Sequence, residues 1–391
     1  MLHAKLTTMA HPYDALRESE LRKRFSNKWR KYPPDVLPAF VAEMDFPVAP
    51  AITAAMQRAV DNYDFGYPPD AANIGLTDIV VQWLSTTQGY APDRDNVMVI
   101  SDVVKGLEVG VRSLSQPSDG VIVCPPIYSP FLNVCNDIPQ HRVDVALLRD
   151  PDGAWRFDVA GIDAAMAAGA TVLLLCHPHN PTGSVWTADQ LDELVAVARR
   201  HGAHIVSDEV HGPLTYAPQQ HIALATRPGA AELTLTLTSA SKAWNLAGLK
   251  CAFAIAGTEE IRERVLGSPR GPRVGIGILG ELATMAALTD GQDWLADTLA
   301  YLDTNRRWLA DNLPPGIDCR MPEATYLAWL DCRALALQPT AGAHFLEHAK
   351  VAMNAGEDYG AGFEGWARIN FAASRPMLGE ILERMAASLP R

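Results

Sequence analysis

The chain has 391 residues, which exceeds the size at which one hydrophobic core stops growing, so two domains are expected. Hydrophobic residues make up 48% and the formal net charge is −12, a globular balance that disfavours nucleic acid or an anionic membrane as the main partner. Without an apolar signal segment, a run of about 18 apolar residues or metal-binding cysteine spacing, the sequence predicts a cytoplasmic protein.

From about residue 50 to 255, short apolar runs alternate with helical patterns. Strands buried on both faces are predicted at 96–101, 120–126, 171–176, 204–208, 233–239 and 251–257, and helices at 103–114, 158–168, 187–201 and 259–266. This alternation predicts a mainly parallel sheet that is covered by helices. Ligands of such sheets bind at the carboxyl ends of the strands.

The two ends of the chain have a different pattern. Residues 1–48 are rich in charge and proline and are predicted to form an arm. After about residue 280, long helical patterns occur with short strands, and the predicted segments are helices at 279–312 and 342–353 and strands at 325–331 and 367–372. We therefore predict a large domain, 49–280, and a smaller α+β domain, 281–391, that shares its core with the arm.

Lys242 is the first candidate for chemistry, because it follows the predicted strand 233–239. A lysine after a strand is, taken alone, most often a solvated surface residue. Enclosure between Ser239 and Ser241 would instead lower its pKa, and the neutral amine is the nucleophile that forms a Schiff base with pyridoxal phosphate (PLP). Ser239, Ser241 and Lys250 would then hold the phosphate through hydroxyl donors and a point charge.

Asp208 and Asn180 follow neighbouring predicted strands, 204–208 and 171–176. Asp208 either caps a turn or faces the pyridinium nitrogen of PLP and keeps it protonated. Asn180 begins NPTG, which is either only a turn or places an amide donor at the phenolic oxygen of the cofactor. His211 either reaches the phenolic oxygen of the cofactor or stacks near it, or it is a structural histidine.

Three further candidates complete the predicted site. The run 101–105 opens a helix after a strand, where free N–H groups and the helix dipole favour a phosphate, although the carboxylate of Asp102 would repel it unless it points away. Tyr128 is either a core residue or an aromatic that stacks on the cofactor ring. Arg368 either forms a surface ion pair or binds the α-carboxylate of an amino acid with two parallel hydrogen bonds.

These motifs together give the chain a family resemblance. NPTG, SDEVH, SASKAWNLAGLK and ARINFA occur in the order and spacing of the PLP-dependent aspartate aminotransferase superfamily, fold type I, which the chain resembles over about residues 24–389. It looks most like the cystathionine β-lyase (C–S lyase) branch, the MalY/PatB type, on the segments 37–56, 61–68, 125–131, 177–187 and 208–214. The resemblance implies an α/β fold, with a mainly parallel seven-stranded sheet in the large domain and a smaller α+β C-terminal domain.

The resemblance also implies roles for the candidates. Lys242 carries the Schiff base, Tyr128 stacks on the ring and Arg368 binds the carboxylate of a small-molecule amino-acid substrate. The implied phosphate ligands are Ser239 and the amides of Asp102, Val103 and Val104. Tyr67 matches a tyrosine that reaches the phosphate and substrate of the neighbouring subunit, which implies a homodimer with shared active sites.

Four positions depart from the pattern of the superfamily or the branch. His211 stands where many aminotransferases have tyrosine, and His177 where the branch usually has asparagine. Asp102 replaces a glycine of the phosphate turn, and Lys250 replaces a phosphate-binding arginine. The last two put the phosphate geometry in question, but not the binding of PLP.

Three functions fit these residues. A β-lyase would cleave cystathionine or another S-substituted cysteine to pyruvate, ammonia and a thiol, which is homocysteine when cystathionine is the substrate. A class I/II aminotransferase would instead pass the amino group to a 2-oxo acid. A PLP-binding regulatory or scaffold protein is disfavoured, because Lys242, Asp208 and Arg368 are all present. Because the core residues serve both enzymes, only the branch resemblance selects the lyase.

Overall fold

The protein is described by a computed structural model that covers residues 11–268 and 275–390. Parts of the three predicted domains therefore lie outside the described residues, namely 1–10 of the arm, 269–274 of the large domain and residue 391. Within the described ranges, no helix combines the length and the apolar character that crossing a bilayer requires.

The helices and strands follow one another in the order of the sequence. The strands are β1 Leu37–Pro38, β2 Val97–Ile100, β3 Gly120–Val123, β4 His141–Asp144, β5 Leu148–Arg149, β6 Trp155–Arg156, β7 Ala170–Cys176, β8 His204–Asp208, β9 Thr234–Thr238, β10 Ala252–Ala256, β11 Leu327–Asp331, β12 Val351–Ala352, β13 Asn354–Ala355 and β14 Trp366–Asn370. The α-helices are α1 Glu18–Leu21, α2 Asn27–Arg30, α3 Pro50–Asp61, α4 Leu76–Gln88, α5 Val103–Leu114, α6 Ser129–Asn133, α7 Val159–Ala167, α8 Ala188–His201, α9 Glu259–Leu266, α10 Ile278–Asp290, α11 Gln292–Asn312, α12 Ala341–His344 and α13 Arg375–Ala387.

A seven-stranded sheet forms the centre of the fold, in the order β2-β10-β9-β8-β7-β3-β4. The neighbours from β9 to β4 are parallel, whereas β10 runs antiparallel to both β9 and β2. The predicted α/β fold with a mainly parallel sheet is confirmed. Of the seven strands in this sheet, β4 was not predicted from an apolar run, because it is an edge strand whose side chains are mostly exposed.

Helices pack closely on this sheet because small residues face it. In α5, a Cβ atom at Gly106 would lie only 2.7 Å from Cδ2 of Leu237 in β9, so glycine permits the close approach of helix and sheet. Helix α8 begins with a capping box of Thr187 and Gln190 and ends at Gly202 in the left-handed conformation. These start and stop signals delimit the helix that connects β7 to β8, so that both parallel strands end at the same edge of the sheet.

The C-terminal part contains a second, antiparallel sheet of β11, β14 and β13. The predicted helical stretch 279–312 is divided at Gly291 into α10 and α11. The prediction of a helix over 342–353 is wrong at its end, because Lys350 adopts a left-handed conformation with φ 55° and the chain then enters β12.

The N-terminal segment packs on this C-terminal part. Strand β1 pairs in parallel with β12, and the side chains of Tyr13 and Trp29 share one hydrophobic core with those of α13. A buried ion pair fixes the segment further, since Nζ of Lys28 lies 2.9 Å from the carboxylate of Asp45 and both side chains are fully enclosed. The division into the domains 49–280 and 281–391 stays a prediction.

Candidate active site

A cavity of about 590 Å³ opens at the carboxyl ends of β7, β8 and β9. Twelve of the thirteen predicted site residues line it: Asp102, Val103, Val104, Tyr128, Asn180, Asp208, His211, Ser239, Ser241, Lys242, Lys250 and Arg368. The structure therefore brings together residues from several separate loops, as the parallel sheet predicts.

Lys242 presents its amine to the interior of this cavity. Its Nζ donates a hydrogen bond to the carbonyl oxygen of Ala42 at 3.1 Å. Burial, reinforced by the positive charge of Arg368, lowers the pKa of Lys242 to about 8. The amine is thus neutral in a much larger fraction of molecules than a solvated lysine would be, which suits a nucleophile and a base.

Asp208 ends β8 and is buried. Burial raises the pKa of Asp208 to about 7, against the lowering effects of a hydrogen bond from the N–H of Val210 and of the charge of Lys242. A carboxyl in this state is stabilised as an anion when a cation is placed opposite it. The next residue, Glu209, faces away and accepts hydrogen bonds from Ser207 and His221, as strand alternation predicts.

Arg368 is a buried cation that has no acidic partner in the described part of the chain. The guanidinium donates to the carbonyl oxygen of Phe40 at 2.6 Å, to Oδ1 of Asn354 at 2.6 Å and to Oδ1 of Asn180 at 3.0 Å. No carboxylate pairs with it among residues 11–268 and 275–390, and only 2% of the residue is exposed. Since a buried charge requires a counter-charge, the arrangement favours an anionic ligand.

The bond from Arg368 also orients the amide of Asn180. Its Oδ1 is occupied by the guanidinium, which leaves the Nδ2 donors for a ligand in the cavity. Close by, Nδ1 of the buried His211 has no hydrogen-bond partner within the described ranges. Burial, with the charges of Lys242 and Arg368, holds the pKa of His211 well below its usual range. A neutral His211 and an amide donor thus face the cavity together with the ring of Tyr128.

Asp102 and Lys250, the two charged departures from the family pattern, meet beside the start of α5. Asp102 accepts from the N–H of Lys105 at 2.8 Å through Oδ1, and its Oδ2 lies 2.8 Å from Nζ of Lys250. Burial opposes ionisation of Asp102, but the bonds from Lys250 and Lys105 outweigh it and lower its pKa. The expected repulsion of a phosphate is therefore offset, because Asp102 and Lys250 neutralise each other.

The two serines at this end differ in their bonding. Ser239 donates its hydroxyl proton to the carbonyl oxygen of Cys251 at 2.7 Å and accepts from the N–H of Ser241 at 3.0 Å. A hydroxyl has one donor, so that of Ser239 is already engaged, whereas the hydroxyl of Ser241 lines the cavity. At the start of α5 the N–H groups of Val103 and Val104 have no intrahelical partner, and that of Val104 is directed in part to the carboxylate of Asp102.

Tyr67 is the one predicted site residue that the structure does not bring to this cavity. It is 99% exposed, in a surface loop between α3 and α4 that also exposes Tyr63 and Phe65. In a single chain it contacts none of the other candidates. Its assignment to the site of a second subunit stays a prediction.

Sequence reasoning missed the wall of the cavity that residues 40–42 form. Carbonyl oxygens of this segment, at Phe40 and Ala42, accept hydrogen bonds from Arg368 and Lys242. Asn370 holds the segment, since its Nδ2 donates to the carbonyl oxygens of Val41 and Glu43 at 2.7 Å each. Main-chain carbonyls have no signature in a sequence, so this wall could not have been identified from residue types.

An amine and a carboxyl lie at the ends of parallel strands, and a guanidinium from β14 of the antiparallel sheet joins them in one cavity. This arrangement is that of an α/β enzyme of the fold type I class. The family described as aminotransferase class I and II matches residues 41–385, so the chain belongs to that family. It is 36% identical to the cystathionine β-lyase of Corynebacterium glutamicum, over 95% of this chain and 98% of that protein.

Two further relatives agree with this placement. The cystathionine β-lyase PatB of Bacillus subtilis is 31% identical, over 91% of this chain and 93% of its own length. The crystal structure of cystalysin from Treponema denticola, which contains a pyridoxal 5′-phosphate cofactor, is similar with a TM-score of 0.87 and 27% identity. That comparison covers 94% of this chain and 96% of the other.

Proposed function

We propose that this enzyme is a PLP-dependent C–S β-lyase that cleaves cystathionine or a related S-substituted cysteine. The observation that carries the proposal is the uncompensated charge of Arg368 beside the amine of Lys242, which together suit the carboxylate and the Cα proton of an amino acid. The lyase names of the relatives support the choice of reaction, because the same residues also serve transamination.

The residues of the cavity fit the cofactor. Asp208, whose pKa burial raises to about 7, would balance a pyridinium cation, and the unused polar atoms of Asn180 and His211 would serve a phenolic oxygen. The start of α5 and the hydroxyl of Ser241 offer donors to a phosphate. Tyr128 offers an aromatic face to the ring.

PLP, when bound, supplies a carbonyl for the substrate amine and a ring that accepts electrons from the Cα–H bond. Lys242 would hold the cofactor through its amine and, with that amine free, would take the Cα proton of the substrate as general base. Arg368 holds the α-carboxylate, so that the Cα–H bond faces this amine. The Cβ–S bond then breaks and the sulfur leaves as a thiolate. The remaining three-carbon fragment is hydrolysed to pyruvate and ammonia.

A homodimer with shared active sites is part of the proposal. The loop that carries Tyr67 exposes Tyr63 by 83%, Phe65 by 62% and Tyr67 by 99%, and exposed aromatic clusters favour contact with another protein surface. A second copy would bring Tyr67 to the partner's cavity. We also propose a cytoplasmic location, which the six unpaired cysteines support.

The test is a steady-state assay of the purified enzyme with cystathionine and a panel of cysteine thioethers. A lyase releases equal amounts of pyruvate and thiol when no 2-oxo acid is added as an amino-group acceptor. Activity that requires an added 2-oxo acid, with no thiol released, would contradict the proposal and indicate an aminotransferase.

A further inference from the structure

A cation that the proposed reaction does not use lies at the mouth of the same cavity. Lys31 lines it together with Asn27, and both residues are exposed. Among the residues that the structure describes, no carboxylate forms an ion pair with Lys31. Lys31 is one of four lysine and arginine side chains that line the cavity, with Lys242, Lys250 and Arg368. The lining has two carboxylates, those of Asp102 and Asp208.

The ammonium of Lys31 is directed by two aromatic rings. Its Nζ lies 5.1 Å from the ring centre of Phe40 and 5.3 Å from that of Tyr32, within the range of cation–π attraction. The two rings meet edge to face, with centres 5.2 Å apart. These contacts direct the side chain to the cavity without neutralising its charge.

The backbone beneath Lys31 is fixed. The preceding residues, Lys28 and Trp29, both bind the carboxylate of the buried Asp45, at 2.9 Å each. Phe40, whose ring contacts the ammonium of Lys31, also accepts a hydrogen bond from Arg368 through its carbonyl oxygen. One residue therefore links the cation at the mouth to the guanidinium that takes the α-carboxylate, so the two charges keep a defined relation.

We infer that Lys31 is a specificity-determining residue that binds a second, distal carboxylate, on the sulfur side of the substrate. This inference rests on the proposed function, in which Arg368 holds the α-carboxylate. A thioether whose leaving group ends in a carboxylate would then be bound at both ends. Asn27, whose carbonyl oxygen accepts a hydrogen bond from the N–H of Lys31, lines the same cavity and offers a side-chain amide donor to that group. Thioethers with an uncharged leaving group would lack this contact.

The test compares S-(2-carboxyethyl)cysteine with S-(2-carbamoylethyl)cysteine, which differ only in the distal charge. The wild-type enzyme should prefer the carboxylate in kcat/KM by roughly fivefold, the upper range for an exposed ion pair. Lys31→Gln should abolish this preference, mainly through KM, because such a contact is equal in the ground and transition states. Lys31→Glu should reverse it and favour S-(3-aminopropyl)cysteine.

Lys23→Gln is the matched control, because Lys23 is exposed nearby in the sequence, pairs with Glu20 and does not line the cavity. It should keep the wild-type preference. A preference that persists in Lys31→Gln would overturn the inference but not the proposed function. If the wild-type enzyme releases pyruvate neither from these two thioethers nor from cystathionine, the proposed function fails. Calorimetric affinities of both thioethers for wild type and Lys31→Gln then decide the inference, which equal affinity ratios would overturn.

Discussion

Replacement of Arg368 by alanine is the most direct perturbation of the site. The side chain makes three hydrogen bonds, to Phe40, Asn354 and Asn180, and is buried with no carboxylate partner among residues 11–268 and 275–390. Its loss removes the charge-assisted pair with the substrate carboxylate, which is worth about 2–5 kcal/mol for a buried pair. At about 1.4 kcal/mol per factor of ten, the smaller value already predicts a roughly thirtyfold loss of kcat/KM.

The assay is pyruvate release from cystathionine, with KM and kcat measured separately and folding checked by thermal melting. Arg368→Lys should recover part of the loss, because it keeps the charge but not the two-pronged geometry. Arg307→Ala is the control, since Arg307 is an exposed arginine paired with Asp303 on α11. A folded Arg368→Ala enzyme with the wild-type KM would refute the carboxylate role.

Three further predictions concern burial, pH and assembly. Lys28→Met should lower the free energy of unfolding by about 3–5 kcal/mol in denaturant titrations, because it leaves a buried carboxylate unpaired, whereas Lys23→Met should cost at most about 1 kcal/mol. Because burial raises the pKa of Asp208 to about 7, the folded cofactor-free protein binds a proton that the unfolded chain releases near pH 4. This group should therefore destabilise the fold by about 3 kcal/mol as the pH rises from about 5 to 8, and Asp208→Asn should remove that slope; an identical slope in both proteins would contradict it. Tyr67→Ala and Lys242→Ala should each be inactive, yet mixing and refolding them together should restore about a quarter of the sites if chains pair at random and Tyr67 acts across the dimer. Heterodimers without activity would place Tyr67 outside the partner's site.

The sequence predicted the fold well where burial dictates residue type. The apolar run 171–176 could be recognised as β7 because strands buried on both faces read as continuous hydrophobic stretches. Strand β4 could not, since its side chains lie at an exposed edge. The helix prediction over 342–353 failed at Lys350, where a left-handed residue ends the helix without a glycine to announce it.

In the candidate site, several side chains could be predicted from the sequence, but pairings between distant residues and main-chain contacts could not. Lys242 and Asp208 were found because polar residues after buried strands are conspicuous. The relation between Asp102 and Lys250 was not, because 148 positions separate two residues whose charges cancel only in the folded chain. The carbonyl oxygens of Phe40 and Ala42 were missed for a further reason, since every residue type has such a group.

The hydrogen bond between Phe40 and Arg368 joins positions 328 residues apart, with consequences for synthesis. A growing chain emerges from the ribosome at about 5–20 residues per second, and its N-terminal regions fold first. The strands β7 to β9 can thus associate well before β14 is translated. Arg368 lies in β14, so its bond to the carbonyl oxygen of Phe40 can form only after nearly the whole chain has been translated. If Arg368 binds the substrate carboxylate as proposed, that part of the site is therefore the last to be completed.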